Sequence, residues 1–224
     1  MSEAVSAPEA EGRLGHTHGV VLCDPASGVH ALRVGDHTLA ERTALLLAEI
    51  CEAVVWVGAE PTGGAPGRFG GERVEGVSEA EAVAAALEQA SGDAVLVLSA
   101  DRPGLSPDLV IGLAGLPDGP AAMPRDAVGA HGTCARYRRS FAWKIRAAAE
   151  KHPDAPFEAL AEKDVRFLEG ASLETLDPAG LGLRRIADAA DLERVVGEMP
   201  ACAEGAWPGH PGLGLGRIIA PRSG

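Results

Sequence analysis

The sequence has 224 residues, of which 46% are hydrophobic and 23% are charged, proportions typical of a globular chain with one substantial core. The formal net charge of −12 argues against a nucleic-acid backbone as the main partner. No run approaches the roughly 18 apolar residues of a membrane-spanning helix, which excludes a transmembrane protein.

The two ends differ in composition from the middle. Residues 1–18 are acidic and lack the apolar segment of a signal peptide, so we interpret them as a flexible leader of a cytoplasmic protein. Residues 198–224 are rich in glycine and proline and are interpreted as a tail that is a surface strap or disordered. One domain is predicted over residues 19–197. The cysteines form no CxxC pair, which favours buried free thiols in a reducing compartment.

Strand and helix patterns alternate through the first 120 residues. Short, uninterrupted apolar runs are typical of strands buried on both faces, and the runs between them show helical spacing or helix caps. Residues 60–72 contain five glycines and two prolines, so we predict a loop there. The predicted strands are 19–23, 54–57 and 94–98, and the predicted helices are 38–51, 78–90 and 106–113.

The second half is less regular. It shows short alternating or β-branched runs, one clear helical pattern, and an aspartate that begins a final helix. The predicted strands are 121–124, 131–138, 165–168 and 183–186, and the predicted helices are 140–151, 157–162 and 188–197.

This element order predicts right-handed βαβ units in an α/β fold: a three-layer α/β/α, Rossmann-like domain with a mostly parallel, twisted sheet. Ligands bind beyond the carboxyl ends of the strands in such sheets. Asp101 follows the strongest strand and could hold Mg²⁺ on a triphosphate there. A turn aspartate that only precedes a proline is the alternative.

Three motifs, in order, carry a resemblance to a known family. Residues 95–103 match a strand followed by D-x-P, residues 134–140 (CARYRRS) match C-A-L-Y-R-R-S, and residues 186–192 are similar to a T-P-E-D-L helix start. Over residues 19–197 the chain resembles the molybdenum cofactor guanylyltransferase family, a branch of the GT-A-like nucleotidyltransferases.

The resemblance implies an activity and a site. The implied reaction joins the nucleoside monophosphate of an NTP, expected to be GTP, to a phosphorylated acceptor such as molybdopterin, with Mg²⁺ as cofactor. By the match, Asp101 is the catalytic, metal-binding aspartate. Arg102, Arg136 and Arg138 are the candidate acceptor-binding residues. The two strand arginines could meet a pterin phosphate together, because alternate residues of a strand share a face. A solvated strand edge is the alternative for the strand arginines.

The first loop departs from the family pattern. The family sequence L-A-G-G-x-S-x-R-M-G-x-D-K grips the phosphates, whereas residues 22–32 are shorter and lack the arginine. Asp24 and Pro25 stand in place of the two glycines, and His30 falls about where the lysine belongs. The nucleotide-binding positions implied by the match are Leu22, Cys23, Asp24, Ser27, Gly28 and His30. A tight connection without a ligand is the alternative for this loop.

These replacements weaken phosphate binding. Pro25 removes an N–H donor, His30 is mostly neutral at pH 7, and Asp24 adds a repulsion of about 1–4 kcal/mol at contact distance. The family's G-P-L-x-G segment is also altered at residues 76–81, and Arg185 and Ala187 stand where the family has asparagines, with Asp188 as a candidate substitute.

Three functions are therefore open. The first is a guanylyltransferase-like enzyme with impaired activity. The second is a non-catalytic paralogue that binds molybdopterin or a protein partner. The third is a nucleotidyltransferase with a different acceptor. The altered loop favours the non-catalytic paralogue over a fully active enzyme.

Overall fold

The computed structural model describes residues 17–71, 78–116, 119–160 and 163–199. Most of the predicted leader and nearly all of the predicted tail, with Cys202, lie outside these residues. The first strand begins at Thr17, two residues before the predicted domain boundary.

Nine strands and six helices make up the described part of the chain. The strands are β1 (Thr17–Leu22), β2 (Arg33–Val34), β3 (His37–Thr38), β4 (Ala53–Val57), β5 (Arg68–Gly71), β6 (Ala94–Ser99), β7 (Ala121–Pro124), β8 (Cys134–Arg138) and β9 (Val165–Leu168). The helices are α1 (Leu39–Ile50), α2 (Glu79–Gln89), α3 (Pro107–Ala114), α4 (Ala142–Lys151), α5 (Gly170–Leu176) and α6 (Ala189–Glu198). Short 3₁₀ turns occupy Val29–Ala31 and Arg139–Phe141.

Seven strands form the central sheet in the order β5-β4-β1-β6-β8-β7-β9. All neighbours are parallel except at β8, which is antiparallel to both β6 and β7. Helices α2 and α4 pack on one face of the sheet, and α1, α3 and α5 pack on the other. The predicted three-layer α/β/α fold with a mostly parallel sheet is confirmed.

The three central strands are buried on both faces, as their apolar runs predicted. Residues of β1, β4 and β6 alternate between the two core clusters that lie on opposite faces of the sheet. The thiols of Cys23, Cys51 and Cys134 are free and buried, as predicted.

Helix starts follow the predicted caps. The Ser78 hydroxyl accepts a hydrogen bond from the Glu81 N–H while the Glu81 carboxylate accepts one from the Ser78 N–H, which completes a capping box at α2. Ser106 caps α3 with Pro107 in its first turn. These local bonds satisfy backbone donors that the first turn of a helix leaves open.

The prediction of a loop over residues 60–72 is wrong at its carboxyl end, where β5 forms an edge strand parallel to β4. Glycine is required in this strand. A Cβ on Gly70 would lie 2.4 Å from Val55 Cγ1, and Gly67 has a φ of +123° with the Trp56 ring beside it. The glycines that suggested a loop thus allow β5 to approach β4 closely.

Three other predictions need correction, and one helix was missed. The strand predicted over 131–138 begins only at Cys134, residues 157–160 form turns rather than a helix, and α5 was not predicted. Residues 183–186 join no sheet. They cross the carboxyl edge of β6 instead, where the Ile186 N–H donates to the Asp101 carbonyl at 3.0 Å. Within the described ranges, no helix is long and apolar enough to cross a bilayer.

Candidate functional site

The central crevice lies where β1 and β6 end. The chain leaves β1 towards β4 on one side, while β6 lies on the other, which makes this position the switch point of the sheet. Leu22 pairs with Ser99, and the Ala100 N–H donates to the Leu22 carbonyl at 2.9 Å. The two loops that carried the predicted site residues, 23–32 and 99–105, are therefore adjacent.

Many polar groups of the loop after β1 contact other groups of the same loop. The Asp24 carboxylate accepts from the Ala26 N–H at 3.2 Å, and the Asp24 carbonyl accepts from the Ser27 hydroxyl at 3.0 Å. The Ser27 hydroxyl oxygen in turn accepts from the Val29 N–H at 3.4 Å. Nδ1 of His30 lies 3.2 Å from the same Asp24 carbonyl. Groups that could bind phosphate oxygens are thus engaged within the loop.

Packing beneath the loop holds it in this form. Gly28 takes the left-handed conformation (φ +65°) and begins the 3₁₀ turn, whose Val29 is buried. Val29 packs in a third core cluster with Ile186 and with Leu192 and Val195 of α6. The loop from residue 23 to 32 contains no lysine or arginine, so its side chains supply no fixed positive charge. The predicted nucleotide-binding residues therefore lie at the crevice, and the loop that carries most of them has no lysine or arginine of its own.

Asp101 points its carboxylate at an arginine. Arg185 Nε donates to Asp101 Oδ2 at 2.6 Å, and Arg185 Nη1 donates to the Glu79 carboxylate at the start of α2. Burial alone would lower the pKa of Arg185, but the charges of Asp101 and Glu79 raise it above its ordinary value. Three elements that are far apart in sequence thus meet in one ion-pair cluster.

A divalent cation does not fit beside Asp101 in this arrangement. Asp101 Oδ1 is buried and has no hydrogen-bond partner, so one oxygen remains for a ligand. The other oxygen is held by a guanidinium, whose positive charge repels a second cation. Across the described residues, no group of three or more histidine, cysteine, aspartate or glutamate side chains could hold a metal ion. Asp188, the candidate substitute ligand, instead caps α6 by accepting from the Asp191 N–H at 2.9 Å.

Arg102 is a buried structural residue rather than an accessible acceptor ligand. Its side chain is 3% exposed and donates to the Leu183 carbonyl and, at 3.3 Å, to the Thr133 hydroxyl. Nη2 also lies 3.4 Å from Nδ1 of His131. Arg102 thereby ties the segment that crosses the crevice to the start of β8. The geometry does not support the predicted acceptor-binding role.

The arginines of β8 also lie away from the crevice. Because β8 is antiparallel, Arg138 pairs with Ala94 at the amino end of β6, opposite Asp101. Arg136 is buried against α3, where Nη1 donates to the Ala114 carbonyl at 3.1 Å. They do share a face of the strand, as predicted, but the direction of the strand removes both from the acceptor side.

A histidine–aspartate pair at the carboxyl edge was missed from the sequence. His131 Nε2 lies 3.0 Å from Asp126 Oδ2, between the ends of β7 and β8. Burial and the charge of Arg102 lower the pKa of His131, although Asp126 opposes this shift. The sequence placed Asp126 just after one predicted strand, 121–124, and His131 at the start of the next, 131–138, but nothing in it paired the two residues.

An open cavity of about 660 Å³ adjoins Asp126 of this pair, at the ends of β7 and β9. Its lining is predominantly acidic, which disfavours an anionic acceptor. Arg125 Nε donates to Glu169 at 2.7 Å, so the arginine is partly neutralised. The charged lining residues are Arg125, Asp126, Glu169, Glu174 and Asp177.

Comparisons with known proteins agree with this architecture. A family model, the MobA-like NTP transferase domain, matches residues 30–166, which is more than half of the chain. No curated protein matches the chain.

Solved structures share the fold at low identity. Molybdopterin-guanine dinucleotide biosynthesis protein A from Archaeoglobus fulgidus is similar with a TM-score of 0.59 and 18% identity, over 79% of this chain and 96% of that one. A CMP:2-keto-3-deoxy-manno-octonic acid synthetase complexed with CTP gives 0.58 and 14%, over 82% and 98%. Rv0371C from Mycobacterium tuberculosis, in complex with manganese, gives 0.55 and 14%, over 81% and 98%.

Proposed function

Because the chain belongs to the MobA-like NTP transferase domain family, we propose that it is a molybdenum cofactor guanylyltransferase-like nucleotidyltransferase with impaired activity. Its proposed substrates are GTP and a phosphorylated acceptor of the molybdopterin type, bound at the crevice between β1 and β6. Support for this class comes from the family match and from the shared fold of the Archaeoglobus protein. The free, buried thiols support a cytoplasmic location.

The loop after β1 carries the proposal of impairment. Transfer of a nucleotidyl group depends on positioning and on neutralising phosphate charge. In this loop Asp24 adds a negative charge, Pro25 lacks an N–H, and the Ser27 hydroxyl is bonded to the Asp24 carbonyl. A triphosphate must therefore break internal hydrogen bonds and approach a carboxylate. We expect weak binding of the nucleotide and slow transfer.

A non-catalytic paralogue is the second candidate, in which the crevice or the neighbouring cavity binds a pterin or a protein partner. The observation that favours it is the contact between Arg185 and Asp101, which occupies the one carboxylate that the family resemblance assigns to the metal. The acidic cavity favours a protein partner with a basic surface over an anionic pterin.

A charge-neutralising pair of variants tests the role of the loop. Asp24→Asn removes the carboxylate from the crevice, and Asp36→Asn removes an equal charge from the turn between β2 and β3. A repulsion of at least about 1 kcal/mol corresponds to a gain of roughly fivefold or more in GTP affinity for Asp24→Asn. Asp36→Asn should leave the affinity unchanged. Equal GTP affinities in the two variants would show that the charge of Asp24 does not weaken nucleotide binding.

A transfer assay tests the activity itself. The protein, at a concentration above that of radiolabelled GTP, is incubated with Mg²⁺ and molybdopterin, and the nucleotide adduct and pyrophosphate are separated by chromatography. We expect little product from the unaltered chain within the time in which an intact guanylyltransferase completes the reaction. Rapid formation of the adduct would refute impairment, whereas complete absence of both product and GTP binding would favour the paralogue.

A further inference from the structure

Arg185 reaches Asp101 from a segment that is fixed across the crevice. The Ile186 N–H donates to the Asp101 carbonyl at 3.0 Å, and the Ile186 side chain is buried in the third core cluster. Residues 183–186 form a strap across the crevice, and two residues before Arg185 the Leu183 carbonyl of this strap accepts a hydrogen bond from Arg102. The backbone on both sides of Arg185 is thus tied down, which places the guanidinium beside Asp101 at a low entropic cost.

We propose that the Arg185 guanidinium replaces the divalent metal beside Asp101 and excludes that metal from the crevice. One cation bridges two carboxylates here, since Nε binds Asp101 and Nη1 binds Glu79. A metal ion at the family position has the same electrostatic task, which is to offset negative charge next to Asp101. The chain supplies this positive charge from its own side chain.

The surroundings of the cluster favour the guanidinium over a metal. The side chain of Asp101 is 15% exposed, so its charge is poorly screened and strongly attracts a fixed cation. A divalent ion that bound both carboxylates would have to displace Arg185 from each of them, and one that bound only Asp101 Oδ1 would lie beside the guanidinium. Displacement would also leave Arg185 near the ion that replaced it, with like charges at short range.

The neighbouring arginine provides a matched contrast. Arg184 pairs with Glu198 at the end of α6 at 2.5 Å, and both side chains are substantially exposed. Within the described part of the chain, Arg184 forms no hydrogen bond or ion pair with Asp101 or Glu79, whereas Arg185, one residue later, contacts both of them. Loss of Arg184 therefore changes the net charge of the strap without opening Asp101.

Binding of Mn²⁺, measured by electron paramagnetic resonance on the full chain without nucleotide, tests the exclusion. We expect Arg185→Ala to bind Mn²⁺ at least about tenfold more tightly than the unaltered chain, because two carboxylates then face each other without a cation. Arg185→Lys, which keeps the charge, and Arg184→Ala should both bind Mn²⁺ as weakly as the unaltered chain. Adding Asp101→Asn to Arg185→Ala should abolish the gain.

Two results would overturn the proposal: equal Mn²⁺ affinity with and without Arg185, or a gain that survives Asp101→Asn. Arg185→Gln, a neutral side chain of similar reach, provides a second variant, and thermal unfolding identifies any variant that does not fold. Exclusion of the metal by Arg185 would explain the impaired activity of this same site, and it rests on the proposed function. The Mn²⁺ measurement contains no nucleotide. A failure of the metal-exclusion proposal is therefore distinguishable from a positive transfer assay, which would overturn only the proposed impairment.

Discussion

Replacement of Arg102 by methionine tests whether this residue stabilises the fold or binds the acceptor. Arg102 is 3% exposed, and its guanidinium donates to the Leu183 carbonyl and the Thr133 hydroxyl. Each hydrogen bond from a charged group contributes about 1.5–3 kcal/mol, and a buried carbonyl left without a donor costs about 1–3 kcal/mol. Removing a buried charge whose Nε has no partner offsets part of this loss. The expected net loss in the free energy of unfolding is about 2–4 kcal/mol.

Urea unfolding followed by tryptophan fluorescence, which changes as the buried Trp56 becomes exposed, measures this loss. For a chain of this size the same loss corresponds to a fall in Tm of roughly 4–16 °C. Arg138→Met is the matched control. Arg138 is exposed and lies beside the amino end of β6, on the side of the sheet opposite the crevice, so its replacement should change the free energy of unfolding by less than about 0.5 kcal/mol. If Arg102→Met also changes the free energy of unfolding by less than about 0.5 kcal/mol, the structural role assigned to Arg102 is wrong.

Three further outcomes follow from packing and pKa values. Gly104→Ala should lower stability by about 1–3 kcal/mol, because its Cβ would lie 2.3 Å from the Leu181 carbonyl oxygen. Gly197→Ala in α6 is the control, since its Cβ would meet no atom within 4 Å, and equal effects of the two variants in urea unfolding would contradict this. Burial lowers the pKa of His131, so the unfolded chain takes up a proton first and stability should fall as the pH drops below about 6.5. His131→Gln should flatten this slope between pH 7.5 and 5, and parallel slopes would count against it. Burial raises the pKa of all three described thiols, to about 12, 12 and 11, so iodoacetamide at pH 8 should modify them only after unfolding; rapid native labelling, seen by peptide mass spectrometry, would contradict their burial. These thiols are Cys23, Cys51 and Cys134.

Local patterns were sufficient for the core of the fold. A strand buried on both faces must be apolar throughout, so β1, β4 and β6 were predictable from their composition. The cap at Ser78 was predictable because its partners lie three residues apart. The order of these elements was then enough to indicate a mostly parallel sheet and the position of the crevice.

Long-range pairing explains what the sequence could not show. Arg185 and Asp101 are 84 residues apart, and only the path of the strap across the crevice brings them together. The orientation of Arg136 and Arg138 depends on the antiparallel direction of β8, which alternation within the strand does not reveal. The glycines of β5 indicated a loop because the close approach to β4 that requires them is a tertiary contact.

The central claim is that the altered crevice binds a metal–nucleoside triphosphate weakly. Isothermal titration of the full chain with GTP and Mg²⁺ at physiological ionic strength measures this affinity directly. We expect no saturable binding with a Kd below about 100 μM, since the loop lacks a cation and Arg185 occupies Asp101. A Kd of about 1–10 μM or tighter would contradict the account, because a loop with Asp24 and Pro25 would then have bound the phosphates that its chemistry should repel.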